Sequence, residues 1–214
     1  MNTKEPFVIT VSREVGSGGH TVGRILAEKL NVRYCDKQLL ESLEKQFGLS
    51  AREIEKLKGE KQNWLADFVR KVSPMPSASA LELDPRYSRE FHVDITTEDI
   101  FKAESEILKE FAQLGSCVVA GRSGFFVLKD CPNRLDVFIS ASLPHRVERV
   151  MRKQNLSRES AQAVIGEVDR ARENYVLRFA GVSRYDARNY DLCINADGHS
   201  EEELAELILA FIGL

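Results

Sequence analysis

The stretch Phe7-Val-Ile-Thr-Val-Ser-Arg-Glu-Val-Gly-Ser-Gly-Gly-His-Thr-Val-Gly-Arg-Ile-Leu-Ala-Glu-Lys-Leu30 reads as an apolar, β-branched strand, a glycine-rich turn and then an amphipathic helix. That order is what a phosphate-binding loop requires. Gly16, Gly18 and Gly19 remove side chains so that backbone N–H groups can close around an anion, and Ser17 lies among them. The first turn of the following helix adds its unpaired donors and its positive dipole end. Set against the pattern G-x-x-x-x-G-K-[ST], the first glycine is Glu14 and the lysine is His20, while Thr21 stands at the hydroxyl position that faces magnesium. The context is that of a phosphate loop, and the literal motif is broken at two positions.

Outward from this loop, four further runs read as buried strands: Val32–Cys35, Ser116–Gly121, Leu135–Ser140 and Asp191–Asn195, after Phe7–Ser12. Helical patterns lie between them, and Ser50-x-x-Glu53 and Ser200-x-x-Glu203 both have the spacing of a capping box. Strands separated by helices imply right-handed crossovers and a parallel sheet. Near-continuous apolar strands predict an α/β fold with a five-stranded parallel sheet covered by helices on both faces. A long helical stretch runs from Ser157 to about Ala180 and ends at Gly181. The segment at about 50–95 breaks the rhythm. Gln62–Val72 can form a helix with Trp64, Leu65, Phe68 and Val69 on one face, followed by the breaker Ser73-Pro-Met-Pro-Ser-Ala-Ser79. This segment is expected to be a helical insert over the acceptor side, or a homodimer contact through Trp64 and Phe68.

The chain of 214 residues, 43% hydrophobic and 29% charged, is of a size and composition expected for one soluble α/β domain. No apolar run approaches the ~20 residues that span a bilayer, and the N-terminus carries no signal-peptide core. Cys35, Cys117, Cys131 and Cys193 are scattered without a C-x-x-C pair, which predicts reduced, mostly buried thiols in a cytoplasmic protein. A net charge of -3 and the lack of a basic stripe interleaved with aromatics argue against nucleic acid as a partner. Charge is unevenly placed. Residues 122–188 hold 13 Lys+Arg and 8 Asp+Glu, a balance of +5, and the remainder is 17 against 25, or -8. Eleven of those cations are arginine, the side chain suited to bidentate phosphate clamping.

In a parallel sheet, ligands sit beyond the carboxyl ends of the strands. Four features fall there: Ser12-Arg13-Glu14 with the glycine loop, Asp36-Lys37, Gly121-Arg122-Ser123-Gly124, and Asn195-Ala196-Asp197-Gly198. Histidine as a residue type titrates near ~6.5 and carries no fixed charge at neutral pH. Either Arg13 or an arginine of the 172–188 region therefore takes the lysine's part at His20, or the site binds nucleotide without catalysis. Arg172, Arg178, Arg184 and Arg188 bracket the loop Gly181-Val-Ser-Arg-Tyr-Asp186, which reads as an arginine-bearing lid over transferring phosphates. No nucleophile–histidine–acid constellation and no clustered metal ligands stand out. Phosphoryl transfer requires neither, since it rests on positioning and charge neutralisation.

The loop Ser12-Arg-Glu-x-Gly-Ser-Gly-Gly19, with Tyr34-Cys-Asp-Lys37, Val118-Val-Ala-Gly-Arg-Ser123 and Tyr190-Asp-Leu-Cys-Ile-Asn195, resembles the cytidylate-kinase-like proteins. The resemblance runs through nearly the whole chain in the same order and is weak between about 50 and 95. It implies a single P-loop kinase-like domain over residues 1–214, Mg-ATP as donor and a nucleoside monophosphate as acceptor. By position it implies that Gly16 to Thr21 cradle the donor phosphates, with magnesium near Thr21, and that Asp36 and Arg122 face the acceptor. It further implies that the arginines of about 172–188 form the lid, and that Asn195 to Asp197 lie near the adenine. The chain departs from the family pattern at His20 for lysine, at Ser123 for an acceptor-holding aspartate, and in a sparser lid.

The expectation is ATP-dependent phosphoryl transfer to a small acceptor, CMP or dCMP first, with Arg13, His20, Arg172, Arg178 and Arg184 as the catalytic set. The alternatives are a nucleotide-binding regulatory module that transfers no phosphate, and a kinase of a non-nucleotide acceptor.

Overall fold

The computed structural model describes residues 1–50, 54 and 96–214. The Ser50–Glu53 capping box, the Gln62–Val72 helix, the breaker after it and most of the expected insert lie outside the described residues.

Five strands form one sheet: β1 (Val8–Arg13), β2 (Arg33–Cys35), β3 (Cys117–Ala120), β4 (Arg134–Ser140) and β5 (Leu192–Asn195). Every pairing is parallel, and the order is β2-β3-β1-β4-β5. The register sets Val11 beside Ala120 and Val137. The chain first moves from β1 to the β2–β3 side and later crosses back to β4. The switch point therefore lies at the carboxyl end of the central strand β1, where a crevice opens in such sheets.

Two cores follow from the two-residue alternation of β1. Ile9 and Val11 pack on one face with Val22, Ile25 and Leu26 of α1 (Gly19–Lys29) and Leu204 and Ile208 of the last helix, Glu201–Phe211. Val8 points to the other face, with Leu39 and Leu43 of α2 (Lys37–Phe47) and Ile100, Ile107 and Leu108 of α3 (Thr97–Gln113). Both faces are thus covered, as all-parallel strands require. After β3 comes a short helix α4 (Gly124–Val127), and after β4 the pair α5 (Leu143–Gln154) and α6 (Arg158–Ala180). The latter two enclose a third cluster of Val147, Val150, Val164 and Ile165.

The Ser200 capping box and the Gly181 stop are those read from the sequence. Ser157 accepts from the Ser160 N–H, and Gly181 ends α6 in a left-handed turn. Ser200 and Glu203 form a reciprocal capping box at the head of α7 (Glu201–Phe211). The cysteines need a correction. Cys35 and Cys117 are buried in the sheet, but Cys131 is only part-buried and Cys193 is exposed, because β5 is an edge strand.

Candidate functional site

Residues 14–18 join β1 to α1 at the switch point. Gly16 and Gly18 both take φ 85°, a left-handed conformation that L side chains avoid. A Cβ on Gly16 would lie 2.7 Å from the Arg146 carbonyl oxygen, and one on Gly19 would lie 2.5 Å from the Arg13 Cβ. Gly18 caps α1 with no side-chain bond, so the first-turn amides keep their donors for a ligand. Glu14 stands where the motif has its first glycine without needing a positive φ, and its carboxylate has a task of its own. Oε2 accepts the Ala141 N–H at 3.1 Å, and Oε1 lies 3.6 Å from Arg146. Ser17 is buried under the loop, its hydroxyl donating to the Glu14 carbonyl at 3.0 Å.

The loop borders a cavity of about 230 Å³ lined by Gly16, Gly18, Gly19, His20 and Thr21 together with Arg13, Arg149 and Arg172. Arg13 is part-buried, and its guanidinium lies against Gly121. Burial, and next the charge of Arg122, lower its pKa.

At the ends of β2 and β3 a second group assembles. His20 Nε2 is 2.9 Å from Asp36 Oδ2, and the Tyr34 hydroxyl donates to the His20 carbonyl at 3.1 Å. Asp36 Oδ1 is 3.7 Å from Arg122 Nη2. Burial raises the Asp36 pKa, but the His20 hydrogen bond and the charges of Arg122 and Arg13 outweigh it, and the net shift is downward. Gly121, Arg122 and Ser123 all have positive φ, at 75°, 56° and 53°. This tight turn sends the Arg122 side chain to Asp36 and to Glu104, whose Oε1 is 3.2 Å away. The Ser123 hydroxyl is buried and has no hydrogen-bond partner among the described residues.

The 172–188 arginines are dispersed. Arg172 lines the cavity. Arg178 Nη2 pairs with Glu98 at 2.5 Å, and Arg188 pairs with Asp186 within its own turn. Arg184 is 4% exposed. Its guanidinium donates to the Arg13 carbonyl and lies 3.4 Å from Asp169 Oδ1. The 195–197 turn is tied to the head of α5. Asn195 Oδ1 accepts the Asp197 N–H at 2.9 Å, and Asp197 Oδ1 accepts the Ser142 N–H at 3.0 Å.

Sequence reasoning missed several residues that shape the site. Arg149, on α5, places Nη2 3.4 Å from Thr21 Oγ1 and forms an ion pair with Glu201. Asp169, on α6, accepts the Val15 N–H at 3.1 Å and holds Arg146 at 2.6 Å. Glu104 is buried with Arg122 and the Tyr175 hydroxyl as partners. The one available signal was the arginine-for-lysine bias of residues 122–188, which marks a region and not a side chain.

Among the described residues no cluster of His, Cys, Asp and Glu could hold a metal ion, and no helix is long and apolar enough to cross a membrane. Thr21, at the head of α1, borders the cavity and offers a hydroxyl oxygen, a hard donor of the kind that magnesium takes.

The sequence model of the cytidylate kinase-like family matches residues 8–198. A cytidylate kinase of Sulfurisphaera tokodaii is 25% identical over 206 residues, covering 96% of this chain and 95% of its own. An uncharacterised protein of Eubacterium ventriosum superposes with a TM-score of 0.69 at 22% identity, over 96% of this chain and 98% of that one. A shikimate kinase of Bacteroides thetaiotaomicron gives 0.52 at 14% identity, over 97% and 99%. The fold is that of the P-loop kinases.

Proposed function

The chain belongs to the cytidylate kinase-like family, and from that premise we propose that it transfers the terminal phosphoryl group of ATP to a nucleoside monophosphate, with CMP and dCMP as preferred acceptors. The observation that carries this reading is the joining of two half-sites at one sheet edge. The glycine loop with Arg172 and Arg149 lies on one side, and Asp36 with Arg122 on the other, bridged by the His20–Asp36 contact.

In this reading the amides at the head of α1 bind the donor phosphates, and Arg172 neutralises charge on the transferred group. Arg122, oriented by Asp36 and Glu104, holds the acceptor phosphate in line for attack. That phosphate is already an anion at neutral pH, so no strong general base is needed. Thr21 would hold magnesium through its hydroxyl, and the ion when bound screens the donor phosphates. The residues supply position and charge, which is what phosphoryl transfer asks of a protein.

A second reading, a nucleotide-binding regulator without turnover, draws on one observation: the lysine position holds a histidine committed to Asp36 at 2.9 Å. ADP release from Mg-ATP separates the two, with CMP, dCMP, UMP, AMP, GMP and no acceptor run in parallel. Acceptor-dependent ADP formation, abolished by EDTA and greatest with CMP or dCMP, is expected. ATP binding by calorimetry with a silent panel would favour the regulator or a non-nucleotide acceptor.

A further inference from the structure

The loop lacks a lysine, and the cations around it are not equivalent. His20 Nε2 is turned to Asp36. Arg13 and Arg172 border the loop cavity, but the Arg13 guanidinium lies against Gly121, in the neighbourhood of Arg122 and Asp36. Arg149 instead reaches the donor side, with Nη2 3.4 Å from Thr21 Oγ1. Its Nη1 is ion-paired with Glu201, the first residue of α7, whose Cγ would lie 3.2 Å from a Cβ on Gly18. A carboxylate thus stands over the glycine loop, bonded to an arginine that also meets the loop hydroxyl. Burial raises the Glu201 pKa, but the helix-end N–H and the Arg149 charge bring it below the ordinary value, so the carboxylate is an anion at neutral pH.

We propose that Arg149 supplies the fixed positive charge missing at His20, and that Glu201 occupies the phosphate position as an internal anion that the donor displaces. The arrangement holds the guanidinium in place while no donor is bound, since a paired, part-buried arginine loses little further freedom when phosphate replaces carboxylate. It also sets a competition. Each donor phosphate must take Arg149 from Glu201, so affinity is lower than the cradle alone would give and specificity for polyphosphate over single carboxylates is higher.

The proposal rests on the loop being a donor-phosphate site, and the test keeps the two apart. ATP and inorganic tripolyphosphate are titrated calorimetrically, with magnesium, into wild type, Glu201→Gln, Arg149→Ala, Arg149→Lys and the double variant R149A/E201Q. Glu201→Gln is expected to bind both probes several-fold more tightly. Arg149→Ala should lose about tenfold or more for both, with Arg149→Lys in between and no gain from E201Q once Arg149 is absent. Glu201→Gln preserves side-chain volume and carries the test on its own should R149A lose its fold, which thermal melts report.

Unchanged affinity in Glu201→Gln, or loss of ATP but not tripolyphosphate binding in Arg149→Ala, overturns the proposal. The latter would place Arg149 at the base and not at the phosphates. If wild type and Glu201→Gln bind neither probe, the donor-loop reading itself fails and the proposal falls with it.

Discussion

His20 Nε2 lies 2.9 Å from Asp36 Oδ2, so the side chain at the loop's lysine position is tied to the residue that follows β2. Tyr34 secures the same residue from below, its hydroxyl on the His20 carbonyl and the two rings edge-on at 5.5 Å. Asp36 passes the connection on to Arg122 at 3.7 Å. The glycine loop and the Gly121–Ser123 turn are therefore linked by side chains as well as by the sheet. A lysine reaching toward phosphates would leave Asp36 to Arg122 alone.

Asp36→Asn tests the electrostatics of this link. The Asp36 carboxyl is raised by burial and lowered more strongly by His20, Arg122 and Arg13, for a net depression. A carboxylate depressed in the folded state contributes stability that is present above its unfolded pKa, near ~3.9, and lost as pH falls through the folded value. Wild type should exceed Asp36→Asn by about 1–2 kcal/mol at neutral pH. That gap should narrow on acidification below about pH 4. Urea unfolding across pH measures it, and a gap that widened in acid would contradict the assignment.

Arg184→Ala should fail in stability before it fails in chemistry. The guanidinium is buried and bonds the Arg13 carbonyl and Asp169, which also holds Arg146 and the Val15 N–H. Removing the guanidinium takes one of two arginines from Asp169, which keeps Arg146, and a donor from the Arg13 carbonyl, a cost of about 1–3 kcal/mol. Equilibrium denaturation should show a loss of that order. A variant of wild-type stability with a collapsed kcat would instead return Arg184 to the transferring phosphate.

The strands were legible because β-branched runs bounded by turn residues declare themselves locally. The boundaries of β1, β2 and β4 shift by a single residue from the sequence reading, and Ser157, Gly181 and Ser200 cap as their types predict. The charged site residues were not legible in the same way. Arg149 and Thr21 are 128 positions apart, and in sequence Arg149 is one of several arginines on an amphipathic helix. Arg184 reads as a mobile lid residue because nothing local tells a buried arginine from an exposed one. Its burial is decided by Asp169 and by the backbone of β1, neither adjacent to it in the chain. Glu104 is obscure for the same reason, a lone acid in a helix whose partner Arg122 arrives from a turn.

Gly16→Ala should unseat the loop. It combines φ 85° with a Cβ position 2.7 Å from the Arg146 backbone oxygen, a clash that no side-chain rotation relieves. Gly198→Ala is the control, with φ 78° but open space around it, so only the backbone term of ~1 kcal/mol applies. The expectation is a Tm loss for Gly16→Ala well beyond that of Gly198→Ala, together with loss of ATP binding. Equal losses would mean that the loop shifts freely away from α5.

Tyr175→Phe addresses how Arg122, proposed to hold the acceptor, is aimed. Glu104 is buried, with Oε1 3.2 Å from Arg122 Nη1 and Oε2 accepting the Tyr175 hydroxyl at 2.9 Å. Tyr175 belongs to α6, the helix that also carries Arg172. Phenylalanine keeps the ring packed beside Phe101 and Phe179 and removes only the hydroxyl, leaving the carboxylate freer to rotate and Arg122 less well fixed. The acceptor KM should then rise by about three- to tenfold, with ATP affinity unchanged because neither Glu104 nor Tyr175 lines the cavity at the glycine loop. Glu104→Gln, which weakens the ion pair itself, should raise it further. If both variants lowered kcat with the acceptor KM untouched, Arg122 would be acting on the transferred group, and the half-site at β2 and β3 would be part of the donor machinery.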